Sequence, residues 1–227
     1  MKKSFTLLIL ILHSALFLKA QRYQFDRYEA ILGLGTTAIF GDIGNMGIRP
    51  AASLGVRYTL KKSVSFKASL DFGFGYGNDE GSQNEARGYS YSTFLIEPSI
   101  HGEFFFFRSD GTGYTRKGFR LEVPRFSSYA FIGLGAAWFK PTPGDEFEQD
   151  FEDNFRNVAL VFPGGIGIQV GVARKLMIGI EVGGRYARTD YIDGYTSDNS
   201  KSLDVYYFAV LNAAYRFSSF SFGRGFE

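Results

Sequence analysis

The chain lacks cysteine altogether, and only two of its 227 residues are histidine. Without cysteine there is no disulfide framework, no thiolate metal site and no lipid-modified cysteine behind a leader. A transition-metal site is equally unsupported, because such sites draw on several histidine or cysteine ligands and His101 is the only histidine beyond residue 20. We therefore expect a protein without cofactor or metal that is held together by its fold.

Long apolar runs are also missing, apart from one at the start of the chain. There two lysines precede an apolar stretch over residues 5–12. Residues 1–20 are typical of a secretory signal peptide, so we place cleavage after Ala20 and treat residues 21–227 as one exported domain. No other stretch approaches the roughly 20 apolar residues that a transmembrane helix needs. A helical membrane protein is excluded, and any membrane span has to be a strand.

Neither sign of charge dominates, since 25 basic residues stand against 23 acidic ones. Nothing here indicates nucleic acid as a partner. Aromatic residues and glycine are abundant, with 25 Phe, 14 Tyr and 28 Gly, while the mean hydropathy is close to neutral at -0.08. This balance is typical of a β-barrel that is apolar on the outside and polar on the inside.

Hydrophobic and polar residues alternate along much of the chain. In residues 65–76, for example, Phe66 and Phe74 fall on one face of a strand, whereas Lys67 and Asp71 fall on the other, because successive side chains of a strand point to opposite faces. The pattern predicts strands over residues 28–40, 51–60, 65–76, 93–106, 128–139, 158–172, 176–188 and 204–217. In the fifth, both faces are apolar or glycine, so its orientation stays open. An even number of strands predicts a closed, antiparallel, up-and-down transmembrane barrel of about eight strands in the outer membrane.

The connections alternate between short turns and long polar loops, as expected for short turns in the periplasm and long loops outside the cell. The segment 108–126 breaks this rule, because it is long where a short turn is expected and is rich in Gly, Arg and Lys. We predict that it is a contact for a periplasmic partner, together with the tail 218–227. The candidate contact residues are Arg116, Lys117, Arg120 and Arg125.

Charged and polar side chains collect on the predicted inner face. They are Glu29, Arg57, Lys67, Asp71, Glu97, His101, Glu103, Glu181, Arg185 and Arg216. The interior of an eight-stranded barrel is just wide enough for side chains, and buried charges persist when they are paired. We therefore predict a salt-bridged polar core that closes the lumen, in preference to a transport pathway.

Two other groups of residues would suit a function other than a structural one, namely catalysis or surface binding. Ser99 and His101 share a face near Glu103, as a serine hydrolase would need, although a lumen offers no substrate cleft and a hydrogen-bonded core histidine is favoured. The loop 140–157 is acidic and carries interleaved phenylalanines. Because it lacks the turn glycine of a calcium loop, we predict a solvated surface whose phenylalanines contact a partner or membrane headgroups.

Several motifs resemble a known family. They are Gly33-Leu34-Gly35, Phe40-Gly41-Asp42-Ile43-Gly44, Phe131-Ile132-Gly133-Leu134-Gly135, Pro163-Gly164-Gly165-Ile166-Gly167 and Glu181-Val182-Gly183-Gly184-Arg185. The chain resembles the small outer-membrane barrels of gliding, protein-secreting bacteria, which include the PorG-like components of the type IX secretion system. That resemblance implies a non-enzymatic barrel, without catalytic residues, that couples the outer membrane to a periplasmic ring of secretion proteins. The long segment 108–126 departs from the family pattern. A lipid-acting enzyme and a surface adhesin or ligand-binding barrel remain the alternatives.

Overall fold

The computed structural model describes residues 27–82, 85–109, 112–114, 120–122, 125–148, 151, 155–195 and 203–217. For 112–114 and 120–122 the description covers the backbone alone. The predicted signal peptide, the tail 218–227 and the two predicted contact residues Arg116 and Lys117 lie outside the described residues. Within the described part of the chain, no helix has both the length and the apolar character needed to cross a membrane.

Eight long strands of the described residues form one closed antiparallel barrel. They are β1 (Tyr28–Phe40), β2 (Arg49–Lys61), β3 (Val64–Asn78), β4 (Ser90–Arg108), β5 (Phe126–Pro143), β6 (Val158–Ala173), β7 (Leu176–Ala187) and β8 (Val205–Phe217). Each strand pairs with the next, and β8 pairs with β1 from Tyr28↔Phe217 to Phe40↔Val205. This last ladder leaves no free sheet edge, so the predicted fold class is confirmed.

The alternation of the sequence becomes the two faces of the barrel. In β3, Phe66 and Phe74 point outward with 48% and 51% of their surface exposed, while Lys67 and Asp71 are buried inside. The same pattern in the other strands produces an outer surface of exposed Leu, Ile, Val and aromatic side chains. An apolar belt of this kind suits contact with lipid and is unfavourable against water.

The orientation of β5, which the sequence leaves open, is decided by its neighbours. Ile132 and Leu134 face outward, whereas Tyr129 and Phe131 face the lumen. Gly133 also faces inward, where a Cβ atom would lie 2.5 Å from the His101 ring. Glycine is therefore required at this position by the close approach of β4.

The two ends of the barrel differ in their connections. Two-residue turns follow β2 and β6, at residues 62–63 and 174–175, and define the turn end. The described residues of the longer connections 41–48, 79–89, 144–157 and 188–204 lie at the opposite, loop end. They include the two-residue strand Asn45–Met46, which pairs with β3, and the 3₁₀ turn Glu85–Arg87.

The segment between β4 and β5 is a hairpin of its own. Thr112–Tyr114 pairs with Arg120–Glu122 in antiparallel fashion. The backbone N–H of Ser109 donates to the carbonyl of Phe126 at 2.8 Å, at the end of the β4–β5 ladder. The two short strands form a sheet separate from the barrel, and we call residues 109–125, which connect β4 to β5, the arm.

Candidate functional site

The lumen is crossed by ionic groups in layers, and Arg57 is the centre of the layer nearest the turn end. Its Nε and Nη2 donate to Glu103 at 2.5 and 2.9 Å, and its Nη1 donates to Glu29 at 2.8 Å and to Gln169 at 3.1 Å. Arg216 approaches Glu29 from the lumen mouth, with Nε to Oε1 at 2.6 Å. Arg57 is 0% exposed. Its buried guanidinium therefore pairs with two carboxylates at once, as a buried charge requires.

The middle layer joins Lys67 to Glu181. The ammonium lies 2.6 and 2.7 Å from the two carboxylate oxygens, and the Tyr129 hydroxyl donates to the same carboxylate at 2.7 Å. Lys67 also lies over the ring of Phe131, 5.2 Å from its centroid. Because β3, β5 and β7 each contribute a partner, this layer ties non-neighbouring strands together across the lumen.

The third layer is built around Arg185 and is looser. Its guanidinium nitrogens lie 3.7 Å from Asp71 and 3.5 Å from Glu97, beyond the usual length of a charge-assisted hydrogen bond. Glu97 accepts instead from the Tyr206 hydroxyl at 2.7 Å, and Asp71 accepts from Ser53 at 2.5 Å. Above this layer the lumen is filled by apolar side chains, among them Leu95, Phe139 and Phe208.

The structure places all of the residues predicted for the lumen inside the barrel and brings all of them except His101 together in these layers. The sequence analysis did not select Tyr129, Gln169 or Tyr206 as members. The sequence could have assigned Gln169 and Tyr206 to the inner face, because they alternate with outward apolar residues of β6 and β8. It could not have assigned Tyr129, because this residue lies in the strand whose orientation the sequence leaves open.

Ser99 and His101 do form a hydrogen bond, as a hydrolase pair would. The Ser99 hydroxyl lies 2.9 Å from Nε2 of His101, and it is also 2.9 Å from the hydroxyl of Ser69. The other imidazole nitrogen, Nδ1, has no hydrogen-bond partner among the described residues, and Glu103 is engaged by Arg57. His101 is 0% exposed and stacks on Phe131. Among the described residues, therefore, no acid orients the imidazole, and its ring is buried.

An aromatic cluster covers the lumen at the loop end. This cap consists of Ile43, Tyr89, Tyr91, Phe147, Phe151 and Tyr195. Phe147 is 0% exposed and packs against Tyr89 and Tyr195 at ring-centroid distances of 4.9 and 5.9 Å. The phenylalanines of the loop 140–157 were predicted to contact a partner or headgroups. For Phe147 that prediction is wrong, because burial of its ring against other loops is the more favourable arrangement.

Polar contacts fasten the loops of the cap to one another. The Asp193 carboxylate accepts from the backbone N–H groups of Asp42 and Ile43 at 2.7 and 3.2 Å, which joins the first long loop to the last. Asp204 accepts from the N–H of Ile192 at 2.7 Å. Burial raises the pKa of Asp193 and of Asp204, and repulsion by Asp193 raises the pKa of Asp204 further. Among the described residues no cluster of His, Cys, Asp and Glu could hold a metal ion.

The turn end is basic. Lys61, Lys62, Arg174 and Lys175 are exposed there, and no exposed carboxylate is found among the described side chains of this end. Arg125, predicted as a partner contact, donates to the carbonyls of Ala173 and Arg174, so it fastens the base of the arm to the next turn. Arg120 lies in the second strand of the arm.

Comparisons with known proteins identify the family of the chain and solved structures of similar fold. Residues 2–226 match the sequence profile of a family described as a domain of unknown function, DUF6089. The chain belongs to the DUF6089 family. No functionally curated protein matches the sequence. The DUF6089 description names no secretion system, so the resemblance to secretion-associated barrels stays a prediction.

Solved structures similar to this DUF6089 chain are small outer-membrane barrels. OprG of Pseudomonas aeruginosa has a TM-score of 0.51 at 8% identity, covering 85% of this chain and 97% of OprG. Neisserial surface protein A has a TM-score of 0.46 at 7% identity, covering 84% and 97%. Ail of Yersinia pestis has a TM-score of 0.40 at 13% identity, covering 85% and 100%. At such identities the likeness concerns the fold alone.

Proposed function

We propose that this protein is a non-enzymatic, non-conducting barrel of the outer membrane that anchors a periplasmic assembly through its arm. The observation that carries the proposal is the arm, in which Thr112–Tyr114 pairs with Arg120–Glu122 in a sheet separate from the barrel. A barrel needs only a two-residue turn at such a position, as it has after β2 and β6. The additional chain is therefore available for a contact outside the membrane.

The closed lumen supports an anchoring role over transport. Arg57, Lys67 and Arg185 lie across the interior with their carboxylate partners, and the cap covers the loop end. Opening a path would require the separation of buried ion pairs, at about 3–5 kcal/mol for each charge left without its partner. Nothing in this arrangement resembles a continuous polar channel of the kind that wide barrels have.

Charge indicates what kind of partner would bind. The exposed lysines and arginine of the turn end face the same side as the arm, and the sequence of the arm adds Arg116, Lys117 and Arg120. A partner with an acidic surface complements this face, because opposite potentials steer association and fix orientation. The sequence resemblance suggests a component of a secretion machinery as that partner.

Crosslinking from the arm tests the proposal. A photoreactive residue at Lys117 is expected to capture a periplasmic protein in intact envelopes, whereas one at Arg188, on the loop side, is not. Deletion of residues 111–120 is expected to abolish the crosslinked complex and to reduce export of secreted cargo, with normal barrel assembly. Cargo export and partner recovery that survive this deletion would contradict the anchoring role.

A matched pair of variants separates charge from shape. Arg116→Gln/Lys117→Gln removes two charges from the arm, and Arg156→Gln/Arg188→Gln removes two charges from exposed positions at the loop end. We expect only the first set to weaken partner recovery, and to do so more at low than at high ionic strength, since salt screens exposed charges.

A further inference from the structure

A groove runs across the outward face of β2 to β5, close to the loop end. Its lining includes Arg49, Phe74, Tyr76, Phe94 and Lys140. These side chains come from four successive strands, so the shape of the groove depends on the register of the sheet. The groove belongs neither to the lumen nor to the arm, and the anchoring role makes no use of it.

The groove is apolar on the membrane side and polar on the loop side. Phe74 lies opposite Phe94 in the β3–β4 ladder, and the two rings are 5.1 Å apart. One step towards the loops, Tyr76 pairs with Ser92, and Ser92 pairs with Thr142. An apolar surface below a row of hydroxyl groups matches the profile of a lipid, with its acyl chain below its headgroup.

Two cations border the polar row. Lys140 is the ladder partner of Phe94, and the guanidinium of Arg49 lies over the Tyr76 ring, 4.4 Å from its centroid. Both side chains are exposed, and no salt bridge joins either of them to a described carboxylate. The cations of the lumen, in contrast, all have acidic partners. Arg49 and Lys140 are therefore free to bind an external anion.

We propose that this groove binds a lipid of the outer leaflet whose headgroup is a net-anionic phosphate, one that no cationic group such as choline neutralises. The long loops place this rim on the cell exterior. The phosphate would lie between Arg49 and Lys140, where guanidinium and ammonium groups donate charge-assisted hydrogen bonds. The hydroxyls of Ser92 and Thr142 supply further donors, and an acyl chain packs along Phe74 and Phe94.

Trp138 provides a probe in the right place. It is the only tryptophan of the chain, it faces outward, and its ring lies 6.3 Å from that of Phe94. Bromine atoms on an acyl chain in the groove would quench its fluorescence. Protein purified from membranes is reconstituted in phosphatidylcholine vesicles that contain either dibrominated phosphatidic acid or dibrominated phosphatidylcholine, and quenching is normalised to vesicles without bromine.

We expect phosphatidic acid to bind beside Trp138 about tenfold more tightly than phosphatidylcholine, as follows from one additional charged hydrogen bond. Arg49→Gln/Lys140→Gln is expected to remove this preference. The control Lys61→Gln/Lys175→Gln removes the same charge at the turn end and should retain it. All these side chains are exposed, so the variants should fold, which circular dichroism checks.

Three results would overturn the proposal. The first is equal quenching of the native protein by both brominated lipids, and the second is a preference that survives Arg49→Gln/Lys140→Gln. The third is displacement of the brominated lipid by inorganic phosphate alone, which would reveal a site for free anions rather than for a lipid. Because none of these measurements involves the arm, their outcome is independent of the proposed anchoring role.

Discussion

The two ends of the lumen are closed by different physical means. At the turn end, Arg57 holds Glu29 and Glu103 at 2.8 and 2.5 Å. At the loop end, Arg185 lies 3.5 and 3.7 Å from its carboxylates, and aromatic side chains complete the closure. The comparison teaches that the tight ion pairs of the lumen lie at its turn end and in its middle layer, whereas burial of apolar surface closes the lumen at the loop end. The tight pair of the loop end, Arg87 with Asp79 at 2.7 Å, lies within a loop instead.

The largest expected effect is at the tight end. Arg57→Met leaves Glu29 and Glu103 buried without their shared partner, and we expect a loss of about 3–5 kcal/mol in the free energy of unfolding. Denaturant unfolding of the protein in detergent micelles measures it. Arg185→Met should cost clearly less, because its ion pairs are longer. Equal losses for the two variants would remove the distinction between the two ends.

A double variant shows whether the stability lost in Arg57→Met comes from the unpaired carboxylates. Adding Glu103→Gln to Arg57→Met removes one of the stranded carboxylates, so part of the lost stability should return. A double variant that is less stable than Arg57→Met would mean that packing, rather than charge, accounts for the role of Arg57.

A somewhat smaller effect is expected from the cap. Phe147→Ala removes a fully buried ring from the cluster that includes Tyr89 and Tyr195, and we expect a loss of about 3 kcal/mol. The loss should be local, because the strands below are held by their own ladders. Limited proteolysis should therefore cut the loops 79–89 and 144–157 faster, while unfolding of the barrel shifts little. Glu148→Ala, an exposed change in the same loop, serves as the control.

The cap should also respond to pH. Burial and repulsion by Asp193 raise the pKa of Asp204 above that of an unfolded aspartate, so the folded cap binds more protons than the unfolded loop. Its stabilising contribution is therefore complete below about pH 4 and is lost as the pH rises through the raised pKa. We expect the cap to loosen progressively between pH 5 and pH 8.

Amide hydrogen exchange at Ile192, whose N–H donates to Asp204, reports this loosening once the intrinsic dependence of exchange on pH is subtracted. Asp204→Asn keeps an acceptor but cannot ionise, so it should flatten the response. A response that persists unchanged in Asp204→Asn would assign the pH dependence to another group of the cap.

The smallest effect is expected in the middle of the lumen. Ser99→Ala removes the hydrogen bonds to His101 and Ser69, and we expect a loss of about 1 kcal/mol. The lipid composition of membranes that carry the variant should match that of membranes with the native protein. A lipid product that disappears with Ser99→Ala, but remains with Ser69→Ala, would establish the enzymatic alternative.

Much of the fold follows from the pattern of side chains alone. Alternation in β3, with Phe66 and Phe74 against Lys67 and Asp71, predicts both the strand and its faces, because a strand has a period of two. The strand ends are less well predicted, since β4 and β5 extend to Ser90–Arg108 and Phe126–Pro143. Ladder pairing with a neighbouring strand, rather than local preference, decides where these strands end.

The sequence by itself determined the class of the barrel, its two faces and the charged residues that lie inside, because side-chain alternation is a local property of each strand. Only the tertiary structure decided which charges meet. The pairing of Arg57 with Glu103, of Lys67 with Glu181 and of Asp193 with the loop at Ile43 depends on barrel closure and register. These determine which distant residues lie across the lumen from one another, and no local pattern encodes them.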